Sequence, residues 1–233
     1  MAVRAKTSGR RLLPVPSIRI RIPPIPRLIV KYLPGWMLLA AVVAISTPSL
    51  FTAFGRFSNS LHDLMVPHGI IAPLFTREVR HWSGDIQRWA AEYHLDPNLL
   101  ATVMQIESCG HPTVSSYAGA QGLFQVMPFH FAPGENQLDP DTNGRHGADV
   151  LQQCLLNFAN GDPGLAMACY NGGPSVVSKP YSAWTAQTQR YYIWGMGIYT
   201  DASSNQSQSP TLDLWLNAGG KILCQQAAGV LGI

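Results

Sequence analysis

Apolar residues recur at helical spacing from residue 82 onward, and the two clearest runs follow each other directly. The first run opens at Ser83, a residue type that caps helices. Its apolar positions are Ile86, Trp89, Ala90 and Tyr93. The second run carries an apolar helical pattern over 99–108, with Asp96 as its predicted N-cap, Pro97 as its first residue and Gly110 beyond its end. The pattern predicts two consecutive helices, the second of them mostly buried.

A helical hairpin is predicted further along the chain. Residues 110–144 are rich in glycine and proline, so they predict a loop-rich stretch with short helical turns. Residues 145–159 and 163–170 then predict two helices joined by a tight turn, in which Asp162 caps the second helix. Loop and hairpin together favour a mainly helical domain.

The last part of the chain contains a polar interruption. An aromatic-rich segment runs to Tyr199, and residues 201–209 are typical of a flexible linker. Residues 210–233 predict a C-terminal amphipathic helix that is interrupted at Gly219 and Gly220. The elements therefore predict a mainly α protein whose central domain covers residues 81–200.

The chain before residue 81 has a different composition. Residues 1–31 hold eight Lys or Arg residues and no acid, and they predict a basic, proline-rich cytoplasmic tail. Residues 32–54 carry no charge and can cross ~30 Å of hydrocarbon as a transmembrane helix. Because positive charge stays in the cytoplasm, residues 55–80 become a juxtamembrane connector and the later domain lies outside the cell membrane.

A cleaved signal peptide is the alternative to a membrane anchor. The stretch Ala44-Ile45-Ser46 has small residues at its ends that suit cleavage, and the protein would then be secreted. The anchor interpretation makes the membrane a partner through the N-terminal segment. Both interpretations export the domain.

The charge balance of the exported part excludes one class of partner. From residue 57 onward, seven Lys or Arg residues face all thirteen acidic residues, a net charge of −6. An acidic domain without a basic stripe is a poor match for nucleic acid.

The cysteines fit an oxidising compartment, because all four follow the apolar segment. Four cysteines allow three pairings. Cys154 and Cys169 lie at equal distances from the turn of the predicted hairpin, which favours a disulfide between them and leaves Cys109 to pair with Cys224. Four reduced, buried cysteines remain the alternative.

Glu107 is the candidate for catalysis. It closes the mostly buried second helix, where partial loss of water favours the protonated carboxyl and raises its pKa. A carboxylic acid that stays protonated near neutral pH can give a proton to a leaving group. Asp139, Asp141 and Asp149 are possible second carboxylates, although capping or solvation explains acids in a loop or on a helix surface.

Two further motifs follow Glu107 at a distance. Residues 119–128 read Gly-Ala-Gln-Gly-Leu-Phe-Gln-Val-Met-Pro, and Gln125 follows a turn that lets backbone approach a ligand closely. Residues 168–173 read Ala-Cys-Tyr-Asn-Gly-Gly. We expect the Tyr170 phenol to hydrogen-bond the Glu107 carboxyl and the Asn171 amide to contact a sugar.

In this order and spacing, the motifs resemble the lytic murein transglycosylase domain of the soluble lytic transglycosylase (SLT) type, which has a goose-type lysozyme-like fold. Glu107-Ser108, the glycine-rich motif and the Tyr170-Asn171 motif all match, with Cys169 where alanine is usual. The stretch Thr188-Gln189-Arg190-Tyr191 resembles a later family segment. The resemblance covers about residues 83–200.

The resemblance implies cleavage of the β-1,4 bond between N-acetylmuramic acid and N-acetylglucosamine in peptidoglycan, which leaves a 1,6-anhydromuramyl end. Glu107 would act first as acid and then as base, so no second carboxylate, metal or cofactor is required. The residues expected to bind substrate are Ser108, Gln125, Tyr170, Asn171 and Tyr191. Peptidoglycan strands are the expected partner, and cell-envelope assembly partners are possible ones.

Two other functions remain open. A hydrolytic lysozyme on the same fold would use water where the transglycosylase uses the sugar's C6 hydroxyl. A catalytically silent module would only bind the cell wall, although an intact Glu107 argues against it. Metal catalysis is a weak rival, because the seven histidines are scattered and no His-Glu-x-x-His motif occurs.

Overall fold

Helices make up most of the chain that the computed structural model describes, residues 71–233. The predicted cytoplasmic tail, the uncharged segment 32–54 and most of the connector lie outside these residues. Within 71–233, no helix combines the length and the apolar character that crossing a membrane requires. The prediction of a mainly α protein is confirmed for the described part.

Eight α-helices follow one another along this part of the chain. They are α1 (Arg77–His81), α2 (Ser83–Glu92), α3 (Pro97–Glu107), α4 (Pro140–Gln153), α5 (Pro163–Gly172), α6 (Ala186–Ser203), α7 (Pro210–Trp215) and α8 (Lys221–Leu231). A π-helical turn, Cys154–Phe158, extends α4, and a second one, Leu216–Gly220, joins α7 to α8. Short 3-10 turns lie at Pro128–His130, Pro174–Val176 and Tyr181–Ala183.

Side-chain caps explain where most of these helices begin. Asp96 accepts a hydrogen bond from the Asn98 amide at the start of α3, and Asp162 does the same for Leu165 at the start of α5. These two predicted caps are confirmed, and each is followed by a proline, whose missing N–H costs nothing at this position. The predicted cap Ser83 is wrong, because Ser83 is the first residue of α2 and no side chain caps that helix. Asp139 caps α4 in the same way, which is why that helix begins at Pro140 and not at the predicted residue 145.

The core is arranged around α3. Leu100, Val103 and Met104 of this helix are fully buried, α2 and α6 pack directly against it, and α5 packs against α6. Helix α4 packs closely against Trp89 and Phe124 because it has glycine at the two points of contact. A Cβ atom at Gly144 would overlap the Trp89 ring, and one at Gly147 would overlap the Phe124 side chain. Close packing of this kind fixes the loop that carries Phe124.

Residues 71–80, predicted as connector, pack into the same core. Ile71, Phe75 and Val79 are buried, and the Ala72 amide donates a 2.8 Å hydrogen bond to Asn98 of α3. The packed unit therefore begins before the predicted boundary at residue 81, because apolar side chains of residues 71–80 are buried against the core that contains α3.

The predicted linker is shorter than its composition indicates. Helix α6 continues to Ser203, and Ser209 is a buried cap that accepts from the Leu212 amide, so only residues 204–208 connect the two elements. The C-terminal segment packs on the domain through the buried side chains of Leu212 and Trp215.

Two disulfides join distant parts of the described chain. Cys109, just after α3, is bonded to Cys224 of α8, and Cys154 is bonded to Cys169 of α5. These are the two pairs favoured by the spacing of the cysteines. The first bond ties the C-terminal segment to the end of the helix that carries Glu107.

We predict that the two disulfides differ in their contribution to stability. They close loops with sequence separations of 115 and 15 residues. In the chain-entropy model, removing the longer closure costs about 4–5 kcal/mol and removing the shorter one about 3 kcal/mol. Urea denaturation of the Cys109→Ala/Cys224→Ala and Cys154→Ala/Cys169→Ala proteins measures both losses. Non-reducing peptide maps of the parent protein establish the pairing first, and a larger loss for the shorter loop would contradict the prediction.

Candidate active site

Glu107 is the last residue of α3, at the point where the chain leaves the core. The helix ends here because Cys109 and Gly110 both take positive φ angles, 51° and 78°. A side chain at Gly110 would also lie 2.8 Å from the Glu78 carbonyl oxygen. The end of the helix is therefore defined by backbone geometry and by the Cys109 disulfide, and both fix the position of Glu107.

Ser108 fastens this helix end to the glycine-rich loop. Its hydroxyl donates a 2.6 Å hydrogen bond to the Leu123 carbonyl and accepts one from the Gly110 amide at 3.0 Å. Ser108 is completely buried, so its position does not support the predicted contact with substrate. The hydroxyl instead holds the loop against Glu107.

Asn143 of α4 also holds this loop, although the sequence analysis did not single it out. Its Oδ1 accepts from the Phe124 amide at 2.9 Å, and its Nδ2 donates to the Gln121 carbonyl at 2.8 Å. Asn143 is completely buried. A buried asparagine in a helix must use its amide on partners, and its nearness to Gly144 and Gly147 is the signal that could have indicated this role.

Gln125 lies in the left-handed region, with a φ of 47°. Its Nε2 donates to the Val114 carbonyl at 3.0 Å and to the Gly122 carbonyl at 2.9 Å. With both amide hydrogens engaged inside the loop, the side-chain oxygen is the group left to accept a hydrogen bond from a ligand. The half-buried position fits the predicted role.

Tyr170 does not bind the Glu107 carboxyl as we expected. Its hydroxyl donates a 2.7 Å hydrogen bond to the Phe124 carbonyl, because that carbonyl would otherwise be buried without a partner. Tyr170 therefore supports the glycine-rich loop. The charge on Glu107 lies close enough to add to the effect of burial, and the two together raise the pKa of Tyr170 well above its usual value.

Tyr191 of α6 is the tyrosine that faces Glu107. It is buried, and among the described residues its hydroxyl has no hydrogen-bond partner of standard geometry. It approaches the carboxyl closely enough to oppose part of the rise in the pKa of Glu107. The contact between the Tyr191 hydroxyl and the Glu107 carboxyl is therefore a close electrostatic approach without a formed hydrogen bond. Burial also raises the pKa of Tyr191 well above its usual value, so the phenol stays protonated.

Burial is the main influence on the acidity of Glu107. It raises the pKa of the carboxyl from 4.5 to about 7, against the smaller opposing effect of Tyr191. The side chain is nevertheless partly exposed at the surface. A carboxyl that is surrounded by protein atoms yet reachable from outside can hold a proton at neutral pH and deliver it to a ligand.

The possible second carboxylates are all engaged in the scaffold. Asp139 caps α4, Asp141 accepts from Trp89 Nε1 at 2.9 Å, and Asp149 accepts from Gln153 at 2.7 Å. Within residues 71–233, one group of side chains, Glu78 with Cys109 and Cys224, is close enough to hold a metal ion. Both sulfurs of that group are in the disulfide, so they are not available as ligands.

Asn171, the last predicted site residue, lies one position beyond Tyr170 near the end of α5. Its Oδ1 accepts a 3.1 Å hydrogen bond from the Thr188 hydroxyl of α6. It also lines a cavity of about 270 Å³. The structure thus brings Tyr170 and Tyr191 close to the Glu107 carboxyl. Gln125 lies on the loop that Tyr170 supports, and Asn171 follows Tyr170 near the end of α5.

Comparison with known proteins identifies this arrangement. Residues 85–193 match the family model described as the Transglycosylase SLT domain. They form a transglycosylase SLT domain. The resemblance drawn from the motifs is confirmed, and the matched residues include Glu107, Gln125, Tyr170, Asn171 and Tyr191.

Curated proteins similar to this chain carry names that agree with the family match. The chain is 37% identical over 117 residues to the transglycosylase of Enterobacteria phage PRD1, which covers 47% of this chain and 42% of that protein. It is 26% identical over 134 residues to the membrane-bound lytic murein transglycosylase E of Buchnera aphidicola, covering 58% of each. The chain thus spans about half the length of these curated relatives.

One solved structure is a more distant neighbour of the SLT domain. It is an inactive mutant of the lytic transglycosylase Slt from Pseudomonas aeruginosa, with 24% identity and a TM-score of 0.40 over 60% of this chain and 24% of that one. This likeness is too loose to add to the assignment, which follows from the family match and the relatives.

The raised pKa of Glu107 predicts a specific effect of pH on the stability of the SLT domain. Because the folded state holds this proton more tightly than the unfolded state, the extra stability is complete below about pH 4.5 and is lost as pH rises through about 7. Glu107→Gln removes this loss. We expect the variant to match the parent at pH 4 and to exceed its free energy of unfolding by roughly 1–3 kcal/mol at pH 8.5.

Urea denaturation at the two pH values measures the difference, and Glu92→Gln, which changes an exposed carboxylate of α2, is the control. An equal change in stability at both pH values would show that the Glu107 carboxyl is not desolvated.

Proposed function

We propose that this chain is a peptidoglycan lytic transglycosylase with a goose-type lysozyme-like fold, and that Glu107 is its catalytic acid. The observation that carries the proposal is a partly exposed carboxyl whose burial raises its pKa to about 7, inside a transglycosylase SLT domain. The substrate bond is the β-1,4 bond between N-acetylmuramic acid and N-acetylglucosamine. Relatives named as lytic murein transglycosylases support the choice of polymer.

The reaction begins with proton transfer from Glu107. The protonated carboxyl gives its proton to the glycosidic oxygen, the bond to the anomeric carbon of N-acetylmuramic acid breaks, and the N-acetylglucosamine end leaves as an alcohol. The substrate's own N-acetyl oxygen then stabilises the electron-poor anomeric carbon. A carboxyl with a pKa near neutrality is suited to this step, because it is still protonated when substrate binds.

The second step reverses the role of the same residue. The Glu107 carboxylate takes the proton of the C6 hydroxyl, whose oxygen attacks the anomeric carbon and closes the 1,6-anhydro ring. The carboxyl is protonated again and the cycle is complete. One carboxylate is enough, whereas retaining glycosidases hold a second one about 5–5.5 Å from the first.

Tyr191 and Gln125 have supporting roles in this proposal. The Tyr191 phenol stays protonated and faces Glu107, so it can donate to the carboxylate once the proton has left. Gln125 presents its side-chain oxygen to sugar hydroxyls or N–H groups, because both of its amide hydrogens bind the loop. Tyr170 acts indirectly by fixing the Phe124 carbonyl.

Replacing Glu107 tests the proposal directly. We expect Glu107→Gln to lower glycan cleavage by at least a thousand-fold while leaving the protein folded, because glutamine cannot supply a proton. Purified peptidoglycan sacculi are the substrate, Glu92→Gln is the matched control, and mass spectrometry identifies the products. The parent protein should release 1,6-anhydromuramyl ends, and its activity should fall as pH rises above about 7.

The other outcomes of this experiment separate the alternatives. Reducing ends in place of anhydro ends would identify a hydrolytic lysozyme on the same fold. Binding to sacculi without any cleavage would identify a silent wall-binding module. Near-parental activity of Glu107→Gln would exclude Glu107 as the acid.

We also propose that the catalytic part lies outside the cytoplasm, held by residues 32–54 as a single membrane span or released by signal cleavage. The uncharged segment after a basic tail supports this topology, and one relative is named as membrane-bound. In cells whose outer layers have been opened, added protease should digest residues 81–200. Protection of that part together with a cytoplasmic marker would contradict the proposal.

A further inference from the structure

The cavity beside Asn171 has no role in the cleavage steps. It has a volume of about 270 Å³, and its walls come from the end of α5, the turns after it and the start of α6. That volume is just below the common range for ligand sites, about 300–1,000 Å³. The cavity can therefore hold a small part of a substrate but not a glycan chain.

Its walls carry one charge, and that charge is positive. Lys179 is the charged member of the lining, and the remaining polar members are neutral hydroxyls and amides: Asn171, Ser175, Thr185, Gln187 and Thr188. No acidic side chain lines it, although the chain from residue 57 onward has a net charge of −6. A positive cavity in an acidic domain favours an anionic ligand.

A chain of hydroxyl groups aims the Asn171 amide at this space. The Thr188 amide donates to the Thr185 hydroxyl, which donates in turn to the Thr188 hydroxyl at 2.9 Å. The Thr188 hydroxyl donates to Asn171 Oδ1 at 3.1 Å. Because the oxygen of the Asn171 amide is occupied, its nitrogen is left as a donor, so Lys179 and Asn171 both offer hydrogens to a ligand.

Trp184 gives the cavity a firm apolar wall. Its indole N–H donates to the Val176 carbonyl at 3.0 Å and to the Lys179 carbonyl at 3.1 Å, and its ring packs against Tyr181 and Tyr192. The bond to Lys179 also fixes the backbone of the charged residue. The ligand that fits this combination carries a carboxylate next to a small apolar group.

We propose that this cavity binds a carboxylate of the short peptide attached to N-acetylmuramic acid in peptidoglycan, with Lys179 as its ion-pair partner and Thr188 as the residue that positions Asn171. The inference rests on the proposed function, because a peptidoglycan strand presents such a peptide next to the bond to be cleaved. Thr188 of the cavity lining lies one turn before Tyr191 on α6, so the cavity adjoins the residues around Glu107. The enzyme would thereby distinguish strands that carry peptides from bare glycan.

Binding measurements test this inference without requiring cleavage. The probes are a muropeptide, which is a disaccharide carrying its peptide, and the same disaccharide without the peptide. Titration calorimetry uses the full-length Glu107→Gln protein and the same protein with Lys179→Met, Lys179→Arg or Thr188→Val added. Lys221→Met, which removes an exposed lysine on α8, is the matched control.

We expect Lys179→Met to weaken binding of the muropeptide roughly ten-fold and Lys179→Arg to retain most of it, because a charge-assisted hydrogen bond is lost only in the first. Thr188→Val should weaken it by a smaller factor of about three. The peptide-free disaccharide should bind all of these proteins equally, and Lys221→Met should change neither ligand.

Three results would overturn the inference. One is equal binding of the muropeptide to the Lys179→Met and Lys179 proteins, and another is an equal loss for both probes. The third is displacement of the muropeptide by acetate or inorganic phosphate at similar concentrations, which would indicate a general anion site. An inactive parent protein would refute the proposed cleavage but would leave these binding results unchanged.

Discussion

The site depends on keeping one carboxyl partly away from water without giving it a strong partner. A salt bridge or several hydrogen bonds to Glu107 would stabilise its charged form and return its pKa to the acidic range. The structure avoids both, since Tyr191 approaches the carboxyl without a standard hydrogen bond and burial dominates. Such a group costs stability when it ionises, and that cost is tolerated because the rest of the helix is apolar core.

The surrounding polar groups serve this arrangement by satisfying one another. The Ser108 hydroxyl binds the Leu123 carbonyl, the Tyr170 hydroxyl binds the Phe124 carbonyl, and Asn143 binds the Phe124 amide. Buried backbone groups of the glycine-rich loop therefore find their partners in side chains, and none of these uses the Glu107 carboxyl. The loop stays close to the acid without neutralising it.

Local signals predicted much of this protein from its sequence. Asp96 and Asp162 were readable as caps because an Asp-Pro pair before an apolar run has few other meanings. Ser108, Asn143 and the partner of Tyr170 were not, since each role depends on which carbonyl or amide the fold brings within 3 Å across 15 to 46 residues. The segment 71–80 was misplaced because its burial comes from α3 and not from its own periodicity.

Gly147 of α4 affects the surroundings of Glu107 through the glycine-rich loop. A methyl group there would meet the Phe124 side chain, and the carbonyl of Phe124 is what the Tyr170 hydroxyl holds. Helix α4 therefore supports the glycine-rich loop, and a larger side chain at Gly147 would displace Phe124 and with it the loop beside Glu107. Substitutions at residues that pack against the glycine-rich loop should therefore be tolerated less well than substitutions at residues that are equally near Glu107 but do not contact the loop.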